Sequence, residues 1–391
     1  NEFCGHLSTD TNWNSGVFRI TCPLTINAGV TLTIDSGTVL QFLPNSSLHV
    51  FGSLIVKGVE TKPVIFTAST SSPYPGFWES SLPSPGDWDA IYFYPGSRAT
   101  IENAIIEYGG TNAYGNIHVF GGDITIRKST LRFSSTSGLF SNVWVSLQDN
   151  HFTNNAREAV RLEITQDSLA SVKIQGNKGK GNGKDIILIQ GQVNTETNLG
   201  RNPGLPYVID FLTINPMQTL TFDAGSLVKL SRNDSNDASI IEVKGSLITN
   251  GTEEYPVVFT SLYDKEYDVW NNSDLIEGVH QNQDYNVFAP IIIAHIQPLS
   301  RNYQTNQQDG RDPVSGDWRG IVIMKEGYAE LTHSVIRYAG YPHSQLTVLS
   351  GNCVLDHVRI EKGYLNGIYA EDTSLVMRDS VVSDHPGFGV K

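Results

Sequence analysis

Helical character is the first thing the sequence lacks. Only 17% of its 391 residues are Asp, Glu, Lys or Arg, and no run of good helix formers repeats every 3.6 residues. Gly, Ser, Thr and Asn abound instead, which favours β-structure and turns. Basic charge is scarce as well: 27 Lys and Arg against 40 Asp and Glu leave a formal net charge of -13. Phosphate backbones are held by clustered cations, so no nucleic-acid partner is expected. No run of eighteen apolar residues occurs; "FAPIIIAHI" from Phe288 has about half the length of a bilayer-crossing helix, and no membrane span is expected.

Cysteine is nearly absent too. Of three, Cys4 and Cys22 bracket a short N-terminal segment. A disulfide there would contribute roughly 3 kcal/mol and suits an oxidising, exported setting; two buried thiols are the alternative. Cys353, in "GNCVLDHVRI", has the apolar neighbours of an inert core residue. The first residue is Asn rather than Met, as in a processed or excised chain. Zinc-type Cys/His spacing, a P-loop and a dinucleotide fingerprint are all missing.

What is present is duplication. "LTINAGVTLTIDSGTVLQF" from Leu24 matches "LTINPMQTLTFDAGSLVKL" from Leu212, and "GSLIVKGVETKPVIFTAS" from Gly52 matches "GSLITNGTEEYPVVFTSL" from Gly245. "GDWDAIYFYPGSRATIENAIIEYGG" from Gly86 then matches "GDWRGIVIMKEGYAELTHSVIRYAG" from Gly316. These matches divide the chain into a cap over 1–23 and two copies over 24–210 and 211–391. Each copy carries an insertion, about 68–85 in the first and about 262–315 in the second.

Within each copy, short alternating strands such as Val30-Leu32-Ile34 and Leu54-Val56 are separated by Gly, Asn, Asp or Pro turns. Alternation buries one face, yet the two-residue Asn-Gly hairpins of an antiparallel meander are missing. After each Gly-Asp-Trp the segments recur about every 21 to 27 residues, each too small to bury its apolar face alone, so neighbours must stack. The expected fold is all-β: a single-stranded parallel β-solenoid. The phrases "LTI-AGVTLTI--GTV--F" and "GSL---GT---PV-FT" resemble the right-handed parallel β-helix superfamily, the pectate-lyase-like fold, in its extracellular surface-protein form. The resemblance implies fold and export. That fold hosts lyases, hydrolases, isomerases, adhesins and structural modules, so it does not fix an activity.

In the Gly-Asp-Trp phrase, Gly would permit a bend, Asp87 and Asp317 would accept backbone hydrogen bonds, and Trp would cover the core. Asn103, Ser129, Asn150, His333, Asp356 and Asp379, with Asn177 less securely aligned, read as one polar ladder at a repeated corner. A row holding His333, Asp356 and Asp379 could instead bind a metal. No cofactor is indicated; Ca²⁺ would be compatible with the acidic residues.

Ligand binding is expected on the insertions, where loops leave the scaffold. Tyr74 and Trp78 in the first, and Tyr267, Asp268, Trp270, Asp274 and Tyr285 in the second, combine rings that stack on sugars with carboxylates that accept hydroxyl hydrogen bonds. The same rings could merely anchor the loops. Roughly eight coils at about 4.8 Å put the insertions nearly 40 Å apart, too far to share a site. The Asn-Thr-Asp, Asp-Asp and Gly-His-Gly pattern of polygalacturonases is absent. Asn45, Asn233, Asn250 and Asn271 begin Asn-x-Ser/Thr triplets at about the frequency chance gives.

Two readings follow. The preferred one is a secreted or cell-surface structural module without catalysis, binding polysaccharide or stacking end to end into a fibre. Its last coil, "SLVMRDSVVSDHPGFGVK", stops partway, so its partners would be other copies of itself or further coils of a longer protein. The competing reading is a polysaccharide lyase or glycoside hydrolase with its site on the 262–315 flank.

Overall fold

The computed structural model describes residues 1–70, 82–168, 170–231, 238–268 and 311–391. Thirteen strands stack into one sheet, from Thr11–Trp13 through Thr31–Asp35, Ser53–Lys57 and Arg98–Glu102 to Ser374–Arg378; this is face one. Ser53–Lys57 and Arg98–Glu102 pair parallel, residue for residue. Parallel pairing persists where the second insertion separates partners, with Ser246 opposite Tyr328 and Asn250 opposite Thr332. Thr38–Phe42, Val64–Ala68 and Ala104–Glu107 begin face two; Leu48–Val50, Ile91–Phe93, Gly115–Val119, Ser137–Ser141 and Glu158–Ile164 begin face three. The chain is a right-handed parallel β-helix of about 13 turns.

The period-two pattern explains each face. In Ser53–Lys57, Leu54 and Val56 turn inward and are buried while their neighbours are not. Stacked coils merge these residues into one core running from Trp13 to Ile368. Between faces one and two the chain turns on a single left-handed residue, with φ of 48° at Asn103, 49° at Lys128 and 56° at Asp149. L-residues other than Asn, Asp and Gly rarely take this conformation.

The first coil closes the N-terminal end. Glu2–Leu7 pairs parallel with Gly16–Ile26, Cys4 is bonded to Cys22, and the rings of Phe3, Trp13 and Phe18 lie 4.7–5.7 Å apart. The cap is therefore a coil itself. At the other end Leu375, Met377 and Val382 are only partly buried, though their counterparts one coil earlier are buried.

Where the copies join, the cross-section changes. Lys184–Val193 and Tyr207–Ile214 are long strands that cross a corner, as Gly16–Ile26 does in the cap. The first copy's face three pairs through Ile187 with Tyr207, and Tyr207 pairs onward with Val228 of the second copy's face two. Two register shifts, between Glu158 and Val160 and between Ile189 and Gly191, accompany this. Leu205 packs where Gly179 leaves room; a Cβ at Gly179 would lie 2.1 Å from it.

Candidate functional site

Both insertions leave the corner between faces two and three, at the third and tenth coils. Tyr74, Trp78, Trp270, Asp274 and Tyr285 lie outside the described residues. The Gly-Asp-Trp phrases that close the insertions behave alike. Gly86 and Gly316 have φ near +90° (91° and 89°), where a side chain is strained. Asp87 accepts from the Ser84 amide and the Thr70 hydroxyl, both at 2.9 Å. Asp317 accepts from the Val314 amide at 3.0 Å and the Ser261 hydroxyl at 2.6 Å, and pairs with Arg311. Trp88 and Trp318 are fully buried, donating to Glu107 O at 2.8 Å and Arg337 O at 3.0 Å.

Two of the residues expected to bind ligand, Tyr267 and Asp268, make contacts that tie the start of the second insertion to the scaffold. Asp268 pairs with the buried Lys229 ammonium at 2.5 Å, and Lys229 also donates to Asp264 O at 2.9 Å. Tyr267 packs on Leu227, Val258 and Val335, and its hydroxyl accepts from Arg359 at 3.2 Å. The buried Arg337 guanidinium lies 2.7 Å from Glu266, 3.5 Å from Asp264 and 3.6 Å from Glu361. Burial acts to lower its pKa, but Asp264 and Glu266 outweigh that and raise it above the ordinary arginine range. These ion pairs tie the described stem of the insertion, through Asp264, Glu266 and Asp268, to the scaffold.

The six ladder residues occupy three neighbouring positions rather than one. Strand register puts Asn103, His333 and Asp379 on the left-handed corner itself, with Lys128, Asp149 and His357. Ser129 and Asn150 come one residue later and point inward; Asp356 comes one earlier. Short polar residues suit both a left-handed corner and an inward cap, so chemistry alone does not separate the rows. The inward row is the true ladder. Asn150 Oδ1 accepts the Ser129 amide at 3.0 Å, Asn177 Oδ1 accepts the Asn150 amide at 3.1 Å, and Asn202 Oδ1 accepts the Asn177 amide at 2.9 Å. Sequence reasoning missed a second ladder at the next corner, where Asn155 caps Ser134 and Asn182 caps Asn155. Its signal was there: Asn155 and Asn182 stand five residues after Asn150 and Asn177.

Near the last coil, Asp356, His357 and Asp379 place one ligand atom each within 4.8 Å of the others. His333 stacks on His357 at 4.6 Å. An imidazole with two carboxylates suits a transition metal better than Ca²⁺, which prefers oxygen alone. Two of the three, His357 Nδ1 and Asp356 Oδ1, already lie within hydrogen-bond distance at 2.7 Å.

A more distinctive site lies on the outer side of face three, in the first copy. Here the outward positions should be polar, yet two adjacent rows read His49, Tyr92, His118, Phe140 and Phe51, Tyr94, Phe120 along successive coils. Neighbouring rings stack: Phe51 on Tyr94 at 4.2 Å, Tyr94 on Phe120 at 5.3 Å, His49 on Tyr92 at 5.0 Å. Stacked rings cover each other's faces along the axis. The stack ends at Phe120, because the next coil offers Asn142 in that row.

Beyond the last ring a cleft of about 410 Å³ opens, walled by Tyr114, His118, Phe120 and Phe140, with Ser137, Asn142, Arg157, Arg161 and Glu163 as its polar side. Phe140 meets His118 nearly edge-on, at 87° and 4.9 Å, while Phe120 lies 4.0 Å from the imidazole. His118 is only 5% exposed, and both ring nitrogens lack a hydrogen-bond partner among the described residues. Burial pushes its pKa down to about 4. Arg161 and Glu163 pair with one another, Nε to Oε1 at 2.6 Å. Glu158, the next carboxylate along the strand, is buried and accepts from the Ser137 hydroxyl at 3.1 Å. Rings beside polar groups in a space of this size suit a small ligand or one stretch of a polymer.

Comparison with known proteins agrees with the architecture. Residues 5–120 match the family model described as "Pectate-lyase like beta helix domain", and the parallel coil that starts there continues through Val381–Ser383. Over residues 5–120 the chain is similar to that family. Neither the curated proteins nor the solved structures gave a match.

Proposed function

We propose that the protein is an extracellular β-helix module that binds a glycan in the face-three cleft of its first copy, without chemical turnover. One observation carries this reading. The two copies share their inward residues, Leu48/Ile241, Val50/Val243, Ile91/Ile321, Phe93/Ile323, Ile117/Leu346 and Val119/Val348. Their outward residues differ in kind: His49/Glu242, Phe51/Lys244, Tyr92/Val322, Tyr94/Met324, His118/Thr347 and Phe120/Leu349. Only Phe140 keeps an aromatic counterpart, Tyr369. The second copy folds into the same coils without the rings, so the fold does not require them. Of these rings Phe51 is exposed, His49, Tyr94 and Phe120 are half-buried, and Tyr92, His118 and Phe140 are covered by their neighbours; a partly open apolar patch beyond scaffold demand is the kind of surface that binds.

Absence of turnover rests on the carboxylates. Glycosidic cleavage uses two acids about 5 to 10 Å apart; here Glu163 is paired with Arg161, and Glu158 is buried against Ser137. The Cys4–Cys22 bridge supports an oxidising, exported setting. Gel-affinity electrophoresis against neutral and acidic polysaccharides, run beside reducing-end and unsaturated-product assays, tests both parts. The expected result is retardation without product. Product formation, or no retardation on any polysaccharide, would refute the proposal.

A further inference from the structure

The row of His333, Asp356 and Asp379 singled out in the sequence regroups in the structure around His357. Asp356 ends Asn352–Asp356, the last strand but one of face one, His357 turns the corner after it, and Asp379 turns the same corner of the last coil. One ligand atom from each lies within 4.8 Å of the other two, with Asp356 half-buried and His357 and Asp379 exposed, so the group is open to an ion from solvent. His333, on the coil before, stacks on the His357 ring at 4.6 Å and 23°, which sets the ring plane and leaves the nitrogens at its edge. We propose that Asp356, His357 and Asp379 bind a divalent transition-metal ion of the Zn²⁺ kind, and that this ion ties the last coil to the one before it.

The scaffold does not ask for these donors. At the same strand positions the first copy has Arg127 and Lys128, two cations that repel a metal, where the second has Asp356 and His357; only Asp379 keeps its counterpart, Asp149. Both corners make the same left-handed turn, with φ of 49° at Lys128 and 56° at His357, so the turn does not call for an imidazole. Imidazole and carboxylate together suit Zn²⁺, Ni²⁺ or Cu²⁺, whereas Ca²⁺ takes about six to eight oxygens. Three protein ligands leave the fourth position of a tetrahedral ion to water. Arg378 stands opposite Asp356 in register, yet among the described residues Asp356 is partnered by His357 and not by Arg378. Two ligands belong to one coil and the third to the next, so the ion bridges the joint beside Leu375, Met377 and Val382, which are only partly covered. An ion that binds the closed joint and not the open one lowers the open population by the factor 1 + [M]/Kd.

Calorimetric titration of chelator-stripped, tag-free protein at pH 7 with Zn²⁺, and with Ca²⁺ for comparison, tests the site. Asp379→Asn and His357→Asn each remove one ligand and keep a residue that tolerates a left-handed corner, so both should fold. Wild type should bind one Zn²⁺ at least about tenfold more tightly than either variant does, and more tightly than it binds Ca²⁺. Hydrogen exchange reads the tie between coils. With Zn²⁺ at about a hundred times Kd, amides of 374–391 should exchange up to about a hundredfold more slowly in wild type, and no more slowly in Asp379→Asn. A Zn²⁺ affinity that neither substitution changes, or a Kd above about 0.1 mM, would mean an adventitious ion only and overturn the proposal. Tighter binding of Ca²⁺ would overturn the choice of metal. Site-dependent Zn²⁺ binding that leaves exchange of 374–391 unchanged would overturn the tie.

Discussion

An asparagine turned into a solenoid corner works as a spare peptide group, accepting from the coil before it and donating back to that coil and on to the next. Asn177 does this twice, taking the amide and side chain of Asn150 while donating to Leu147 O at 2.9 Å. Asn177→Ala should therefore cost about 1–3 kcal/mol, because it strands buried groups that water cannot reach; chemical denaturation would show this as a lower midpoint. The same scale governs acid sensitivity. His118 is held neutral by burial, with a folded pKa near 4, below the ordinary histidine value of about 6.5. A depressed folded pKa means stability present above pH 6.5 and lost as pH falls from there towards 4. Melting temperature should fall across that window, and His118→Phe should flatten part of the fall. Burial lowers His49, His151 and His385 as well, so some slope should persist. At this scale the sequence was half legible. The polar corners could be seen, but Asn103 and Ser129 look interchangeable on paper, and only strand register shows that one turns the chain while the other caps it.

At the scale of elements, the strands and the two departures from them could be read from alternation and from the repeated Gly-Asp-Trp. The purpose of the second insertion's stem could not. A run with Asp264, Glu266, Tyr267 and Asp268 resembles a sugar site when nothing shows what faces it. Lys229 and Arg337, about 35 and 70 residues away in the chain, supply the missing half and convert it into a clamp. Breaking a buried pair by deleting one partner strands the other charge, so Arg337→Met should destabilise by about 3–5 kcal/mol. Limited proteolysis should cut that variant sooner between residues 261 and 317 than the wild type. Unchanged stability and cleavage would show the clamp to be incidental. The joint between copies was illegible for a different reason: the register shift between Ile189 and Gly191 sets Asp210 and Phe211 together off the core between buried Ile209 and Leu212, a break in alternation that does not say on paper which strands pair across it.

For the whole molecule, stacking makes stability a sum of neighbours, so the least supported coil should open first. That is the last one, where Leu375, Met377 and Val382 stay partly uncovered. Amide exchange should be fastest in 374–391 and slowest around 117–162. Covering the end with a further coil, from a longer chain or a second copy, should slow it. The duplication is read from repeated phrases, and those phrases match best where they face the core, so they carry little functional content. What differs is the outer side of face three. The decisive measurement gives the first copy the second copy's residues: Tyr92→Val, Tyr94→Met, His118→Thr and Phe120→Leu in one chain. If those rings serve a ligand and not the fold, this variant should keep its β-sheet circular dichroism and melt within about 5 °C of the wild type while losing saccharide binding in affinity electrophoresis. A folded variant that binds as the wild type does would contradict the account.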